Sequence, residues 1–289
     1  MSTPKAWNGV FRDGFYTRLP KPRAAGLDVV IDKCQGMRAL ADLLDTAGEA
    51  IDQFKFAFGT SVMLDEKIVR DKIALLRGYN IDVYPGGTLC EVAIVQGVVP
   101  HFLKQARALG FTMVEVSDGT IHLPAADRAD VIRRALDTGL KVITEVGKKD
   151  PRHQIGVGRM QTQINADLEH GASYVVIEAR ESGKGVGIFD AAGAVDQNEL
   201  DALVNGLAHL ERIIWEAPQT AQQAYLIHRF GGEVNLGNIP PRDVLALEAL
   251  RTGMRFETLR PIAAERGMLE VNNDVLSIFL EAAKNSIGS

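Results

Sequence analysis

ITEVGKKDP (143–151) is a β-branched run that ends in a carboxylate, a glycine and two lysines. A strand's own stability is better served by more Val and Ile, so Glu145, Lys148 and Lys149 at its end ask for another reason. The same cadence returns in VEVSDG (114–119), VVIEARESGKG (175–185) and IIWEAP (213–218), so four apolar strands each deliver a glutamate near one end.

Working outward, β-rich segments recur at 27–32, 54–61, 81–87, 111–118, 141–148, 174–180, 212–217 and 233–238. Between them lie stretches with apolar residues three and four apart. Several close on glycine (Gly110, Gly139, Gly171, Gly253), while Pro124, Pro240 and Pro241 stand where helices begin. Strand then helix, eight times at about 30 residues per unit, predicts an α/β chain with a single (β/α)8 TIM barrel. The barrel is placed at 27–255, after an N-terminal extension (1–26) and before a helical tail (256–289) whose amphipathic part is VLSIFLEAAK. An open doubly wound sheet is the alternative, but no GxGxxG follows the first strand. Gly97 and Pro100 are expected to split the helix that follows the third strand.

The composition agrees with a barrel-sized core: 289 residues, 46% of them hydrophobic and 24% charged. A net charge of -5 gives no general attraction to nucleic acid or to anionic membranes. The N-terminus MSTPKAWNGVFRDGF lacks a basic stretch followed by an apolar core, and no apolar run approaches about 18 residues. Cys34 and Cys90 stand alone, as two reduced thiols would. A soluble cytoplasmic protein is expected. A monomer and a homo-oligomer both stay open.

Side chains alternate along a strand, so Glu145 shares a face with Ile143, Gly147 and Lys149, and Glu178 shares one with Val176 and Arg180. If those faces point inward, the carboxylates converge at the C-terminal mouth, where barrel enzymes do their chemistry. Glu115, with Ser117 and Asp118, and Glu216 would join them. Such a cluster repels itself unless a cation neutralises it, and Mg2+ suits a ligand set made only of oxygens. A single glutamate at a strand end is more often solvated or ion-paired; four in one parallel barrel shift the balance toward a site.

Other features divide between function and plain structure. SGKGVG (182–187) has the backbone to wrap an anion, and a flexible loop explains it equally well. In YPGGT (84–88) two glycines admit a close approach to the backbone or simply make a tight turn. NLGNIPPRD (235–243) occupies a frequent phosphate position of barrels, with Asn235 and Asn238 as added donors. His122 and His153 fall in loops at the expected mouth, whereas His101, His170, His209 and His228 lie in helical stretches. Lys55, inside FKFAFGTS, is costly to bury alone, so an ion pair across the barrel is its structural explanation.

Taken together, FKFAFGTS, VYPGGTLCE, GFTMVEVSDGT, VITEVGKK, IEARESGKGVGIFD, WEAPQ and VNLGNI resemble the phosphosulfolactate synthase family, in order and nearly without gaps from about Leu27 to about Arg255. The resemblance implies a Mg2+-dependent (β/α)8 lyase of coenzyme M biosynthesis that adds sulfite to phosphoenolpyruvate, giving (2R)-phospho-3-sulfolactate. The chain is similar, too, to plant heat-stress-associated proteins of that family. Departures are the N-terminal extension, Cys34 where the family commonly has glycine, the loop Thr120 to Leu123, and the longer tail.

On this reading Mg2+ is held by some of Glu115, Asp118, Glu145 and Glu178. The phosphate falls to Arg180 and Lys184, with Ser182 and Gly183 in the same loop, and to the helix N-terminus after Asn238. Lys149 or Lys148 donates the proton, kept charged by Glu145, while Lys33 and Lys55 neutralise sulfite or phosphate. Two alternatives stay open: a related barrel lyase or aldolase using another nucleophile or a lysine Schiff base, and a non-catalytic interaction protein.

Overall fold

Val29, Val30 and Ile31 hold Asp28–Asp32 (β1) extended and buried on both faces, as a strand between an inner core and an outer helical layer must be. The computed structural model describes residues 6–11 and 14–269 and repeats this unit around a nearly closed circuit. The strands after β1 are β2 (Gln53–Phe56), β3 (Asp82–Pro85), β4 (Met113–Ser117) and β5 (Lys141–Val146). They are followed by β6 (Tyr174–Ile177), β7 (Ile213–Glu216) and β8 (Asn235–Ile239). Pairing is parallel throughout, in the order β3-β2-β1-β8-β7-β6-β5-β4. Thr112 stitches the last seam: its N–H donates to the Val83 carbonyl at 3.0 Å and its hydroxyl accepts from the Val83 N–H at 2.9 Å. The fold is a (β/α)8 TIM barrel.

Helices cover the outside: α1 (Met37–Ala47), α2 (Glu66–Gly78), α3 (Gly87–Val95), α4 (Val99–Leu109) and α5 (Ala125–Asp137). Then come α6 (Val157–Glu169), α7 (Gln197–Val204), α8 (Thr220–Phe230), α9 (Val244–Arg251) and α10 (Phe256–Glu265). The break between α3 and α4 falls where Gly97 turns left-handed at φ 68° and Pro100 opens the next helix. After α7 the chain forms a short 3-10 turn, Leu210–Arg212, that leads into β7. VLSIFLEAAK lies outside the described residues. No helix among those described is long and apolar enough to cross a membrane.

Two cores result from the alternation of strand side chains. Leu27, Val29, Tyr84, Met113, Ile143, Val176 and Ile214 fill the barrel, and the opposite faces pack against the helices. The N-terminal extension seals the end of the barrel away from the mouth. Lys21 donates to the carbonyls of Gly48, Ile51 and Tyr79, Arg23 pairs with Asp52 at 2.9 Å, and Arg18 reaches Glu248 at 3.1 Å. Beneath the first strand, the fully buried Arg251 pairs with Asp28 at 2.7 Å.

Candidate active site

Because Ile143 and Val176 face the barrel interior, Glu145 and Glu178, two residues further on, face the same way one layer higher. Lys55 from β2, Glu115 and Ser117 from β4, and Glu216 from β7 complete that layer, all of them buried. Lys55 Nζ lies 3.0 Å from Glu115, 3.2 Å from Glu216 and 3.3 Å from Glu145. Burial alone would lower the Lys55 pKa, but Glu115, Glu216 and Glu145 hold it well above the usual lysine value. Lys55 is thus the resident counter-ion of three glutamates, and its ammonium is already committed.

Lys149 stands above Lys55. Gly147, at φ 128°, turns the chain out of β5; a Cβ there would come within 2.8 Å of the Glu178 Cβ. The half-buried Lys149 ammonium then reaches back to Glu145 at 3.0 Å, Glu178 at 3.6 Å and Glu91 at 3.8 Å. Burial lowers its pKa, and Glu145, Glu178 and Glu91 more than reverse that, so it stays protonated. Lys148 turns the other way, to Asp118 at 2.7 Å and the Ile121 carbonyl at 2.9 Å. The turn at Gly147 therefore sends to opposite sides the two lysines that the sequence left level.

The carboxylates are not equivalent. Burial would raise the Glu145 pKa, yet Lys149 and Lys55 pull it below the ordinary range. Burial, then Glu145 and Glu216, push Glu178 well above that range. Its Oε1 accepts from the Arg180 N–H at 2.6 Å, while its Oε2 is buried without a hydrogen-bond partner. Burial raises Glu115 to about 7 against the opposing pull of Lys55. Glu145, Glu178 and Glu216 each bring an oxygen within 4.8 Å of the other two.

The structure brings some expected residues together and leaves others apart. Asp118 is not in the cluster: Arg128 at 3.1 Å, Lys148 at 2.7 Å and Gln163 at 3.2 Å consume its oxygens. Asn235 is likewise placed differently from the expectation. It lies at the N-terminal end of β8, where its amide accepts from the Leu27 N–H at 3.0 Å and donates to Glu211 and Ile213 carbonyls, closing the strand ladder far from the mouth. Asn238 is at the mouth, left-handed at φ 57°, where β8 carries an extra residue against β1; its buried Oδ1 has no partner.

The loop after β6 carries the exposed Arg180 and Lys184, with Arg180 left-handed at φ 59°. Gln219 and Gln222 anchor that loop through the Ser182 and Gly183 carbonyls, each at 2.7 Å, so these two residues act here through their backbone. Lys33 pairs with Glu181 of the same loop across the mouth. His153 pairs with Asp150 at 3.0 Å on the surface, and His122 is exposed.

The YPGGT turn admits a helix. A Cβ on Gly87 would fall 2.4 Å from the Ser117 Cβ, so glycine lets α3 start directly against β4, with the Gly87 N–H on Glu115. One turn along, α3 delivers Glu91, a site residue the strand-end pattern did not reveal. Its signal was there to read: a lone acid in the apolar run GTLCEVAIV.

Residues 16–257 match the family described as (2R)-phospho-3-sulfolactate synthase (ComA). The chain belongs to the phosphosulfolactate synthase family. The phosphosulfolactate synthase of Methanocaldococcus jannaschii is 45% identical over 235 residues, spanning 81% of this chain and 93% of its own. That of Methanothermobacter thermautotrophicus is 40% identical over 244 residues, spanning 84% and 94%. Among solved structures, 3-hexulose-6-phosphate synthase from Salmonella typhimurium superposes with a TM-score of 0.50, covering 79% of this chain and 99% of that one. At 12% identity this is a likeness of fold. Every residue of the Lys55 and Lys149 clusters lies inside the part matched to the phosphosulfolactate synthase family, whereas most of α10 lies beyond it.

Proposed function

We propose that this chain joins sulfite to the methylene carbon of phosphoenolpyruvate, giving phosphosulfolactate, with Mg2+ as cofactor and Lys149 as general acid. The observation that carries the reading is the charge at the barrel mouth. Five buried carboxylates (Glu91, Glu115, Glu145, Glu178, Glu216) face two ammonium groups (Lys55, Lys149), and Glu115 Oε1 and Glu178 Oε2 have no hydrogen-bond partner beyond their ion pairs with Lys55 and Lys149. Anionic substrates cannot enter such a site without a further cation. The all-oxygen donor set of Glu145, Glu178 and Glu216 fits Mg2+, which when bound supplies positive charge for the substrate carboxylate.

The remaining steps belong to the chain's own groups. The sulfur lone pair of sulfite forms the C–S bond, and the C=C electron pair moves toward the substrate carboxylate. The Lys149 ammonium then gives its proton to the middle carbon and is recharged from solvent through its exposed side. Lys55 stays charged and keeps Glu115, Glu145 and Glu216 in place. Arg180 and Lys184 on the mouth loop receive the phosphate, with the side-chain NH2 of Asn238 as a further donor. The carboxylates that hold Lys55 and Lys149 as ammonium ions work against a Schiff-base route, which needs a neutral amine.

The test is incubation with phosphoenolpyruvate, sulfite and Mg2+, followed by mass spectrometry. The expected product carries one added sulfite per phosphoenolpyruvate. No product with any of the three present in excess would refute the assignment.

A further inference from the structure

Glu91 reaches the site from a helix, whereas the other four carboxylates come from strand ends. Its neighbours Cys90 and Ala93 are buried in apolar packing, and a carboxylate only 3% exposed is costly there unless it is paired. Glu91 Oε1 accepts from the Ser117 hydroxyl at 2.8 Å and from the Thr120 N–H at 3.3 Å. These contacts aim it at Lys149 Nζ, 3.8 Å away. Ser117 Oγ is also 2.7 Å from Glu145, and a hydroxyl has one proton to give, so Ser117 serves Glu91 or Glu145 but not both.

Lys149 has two other partners, Glu145 and Glu178, and both belong to the group assigned above to Mg2+. Their charge is shared once the ion is present. Glu91 stands outside that group, and its hydrogen bonds to β4 and to the loop behind it leave it fixed. Resting on the reading of the preceding section, we propose that Glu91 is a positioning residue for Lys149. It holds the ammonium at the β4 side of the mouth while Glu145 and Glu178 serve the metal, and Ser117 then turns its proton to Glu91.

A double-variant cycle tests this. Glu91→Gln retains an oxygen that accepts from Ser117 and Thr120 while removing the charge that faces Lys149, so the fold is preserved. In the otherwise native enzyme, kcat should fall about 10- to 100-fold with KM for phosphoenolpyruvate changed less than about 2-fold. In a Lys149→Met background the same substitution should change the residual rate less than about 2-fold, because the group it positions is gone. Glu91→Asp, which keeps the charge, should recover part of the loss. An equal loss in both backgrounds, or an effect on KM alone, would overturn the proposal.

Unfolding midpoints of the two single variants and the double variant give a readout that needs no turnover. Non-additive midpoints support the Glu91 to Lys149 contact, and additive ones refute it even if the native protein makes no phosphosulfolactate. Absence of product from the native protein, by contrast, counts against the preceding reading alone.

Discussion

Replacing Lys55 by Met removes the ammonium that three buried glutamates share and leaves the shape of the side chain nearly unchanged. At about 3.2 Å and an effective dielectric of about 20, each of the three contacts carries about 5 kcal/mol of attraction. That sum is never realised as a loss, because a deserted carboxylate takes up a proton instead. One proton restores the net charge of the cluster. Its cost is about 1.4 kcal/mol for each pH unit by which the solution exceeds the unfolded carboxyl pKa of about 4.3. The expected destabilisation is therefore about 4 kcal/mol at pH 7.5 and about 1 kcal/mol at pH 5.0, within the range known for breaking buried ion pairs.

The sign follows from proton binding. The folded variant holds a proton that the unfolded chain has lost, so the variant weakens, relative to the native protein, as pH rises through the carboxylate range. Urea unfolding of both proteins at the two pH values, in chelator-containing buffer, measures the difference directly. A deficit that is the same at both pH values, or below about 1 kcal/mol at pH 7.5, would show that Lys55 does not hold these carboxylates charged.

At the mouth, Lys149→Met should lower turnover about 100- to 10,000-fold with substrate affinity largely kept, and Lys149→Arg should not restore the rate, as steady-state kinetics of the three proteins will show. Lys148→Met should retain turnover within about 10-fold, since Lys148 is turned to Asp118 and not to the carboxylate cluster. Chelation should abolish activity and Mg2+ restore it, and Glu178→Gln should weaken Mg2+ binding measured by calorimetry; full activity after rigorous chelation would remove the metal from the mechanism. At the sealed end of the barrel, burial lifts Asp52 to about 6 despite Arg23 beside it. A raised folded pKa stabilises at low pH, so the native protein should lose stability relative to Asp52→Asn as pH climbs from about 4 to about 6, and the difference should level off above that. Parallel pH profiles of the two melting curves would count against a buried, titrating Asp52.

The barrel was legible in the chain because its signals are local. A β-branched run, a helical period and a closing glycine each depend on neighbours a few residues away, and eight repetitions leave little freedom in topology. Strand alternation, equally local, places Glu145 in phase with Ile143 and Lys149, and Glu178 in phase with Val176. What the sequence could not decide is which partner each charge meets. Lys148 and Lys149 are adjacent and identical in type. Only the turn at Gly147, with Asp118 and Arg128 waiting on one side and Glu91 on the other, sends one to a largely buried ion pair behind the site and the other into the site. Asn235 and Asn238 sit three residues apart in one motif, yet the length of β8 puts them at opposite ends of the barrel. Glu91 belongs to the site because a glycine 30 residues before Ser117 lets a helix lie against the next strand, a contact between segments distant in sequence. Charges act through space over a few ångströms, while sequence patterns report only distance along the chain, so the architecture was set locally and the electrostatics of the site by tertiary contact.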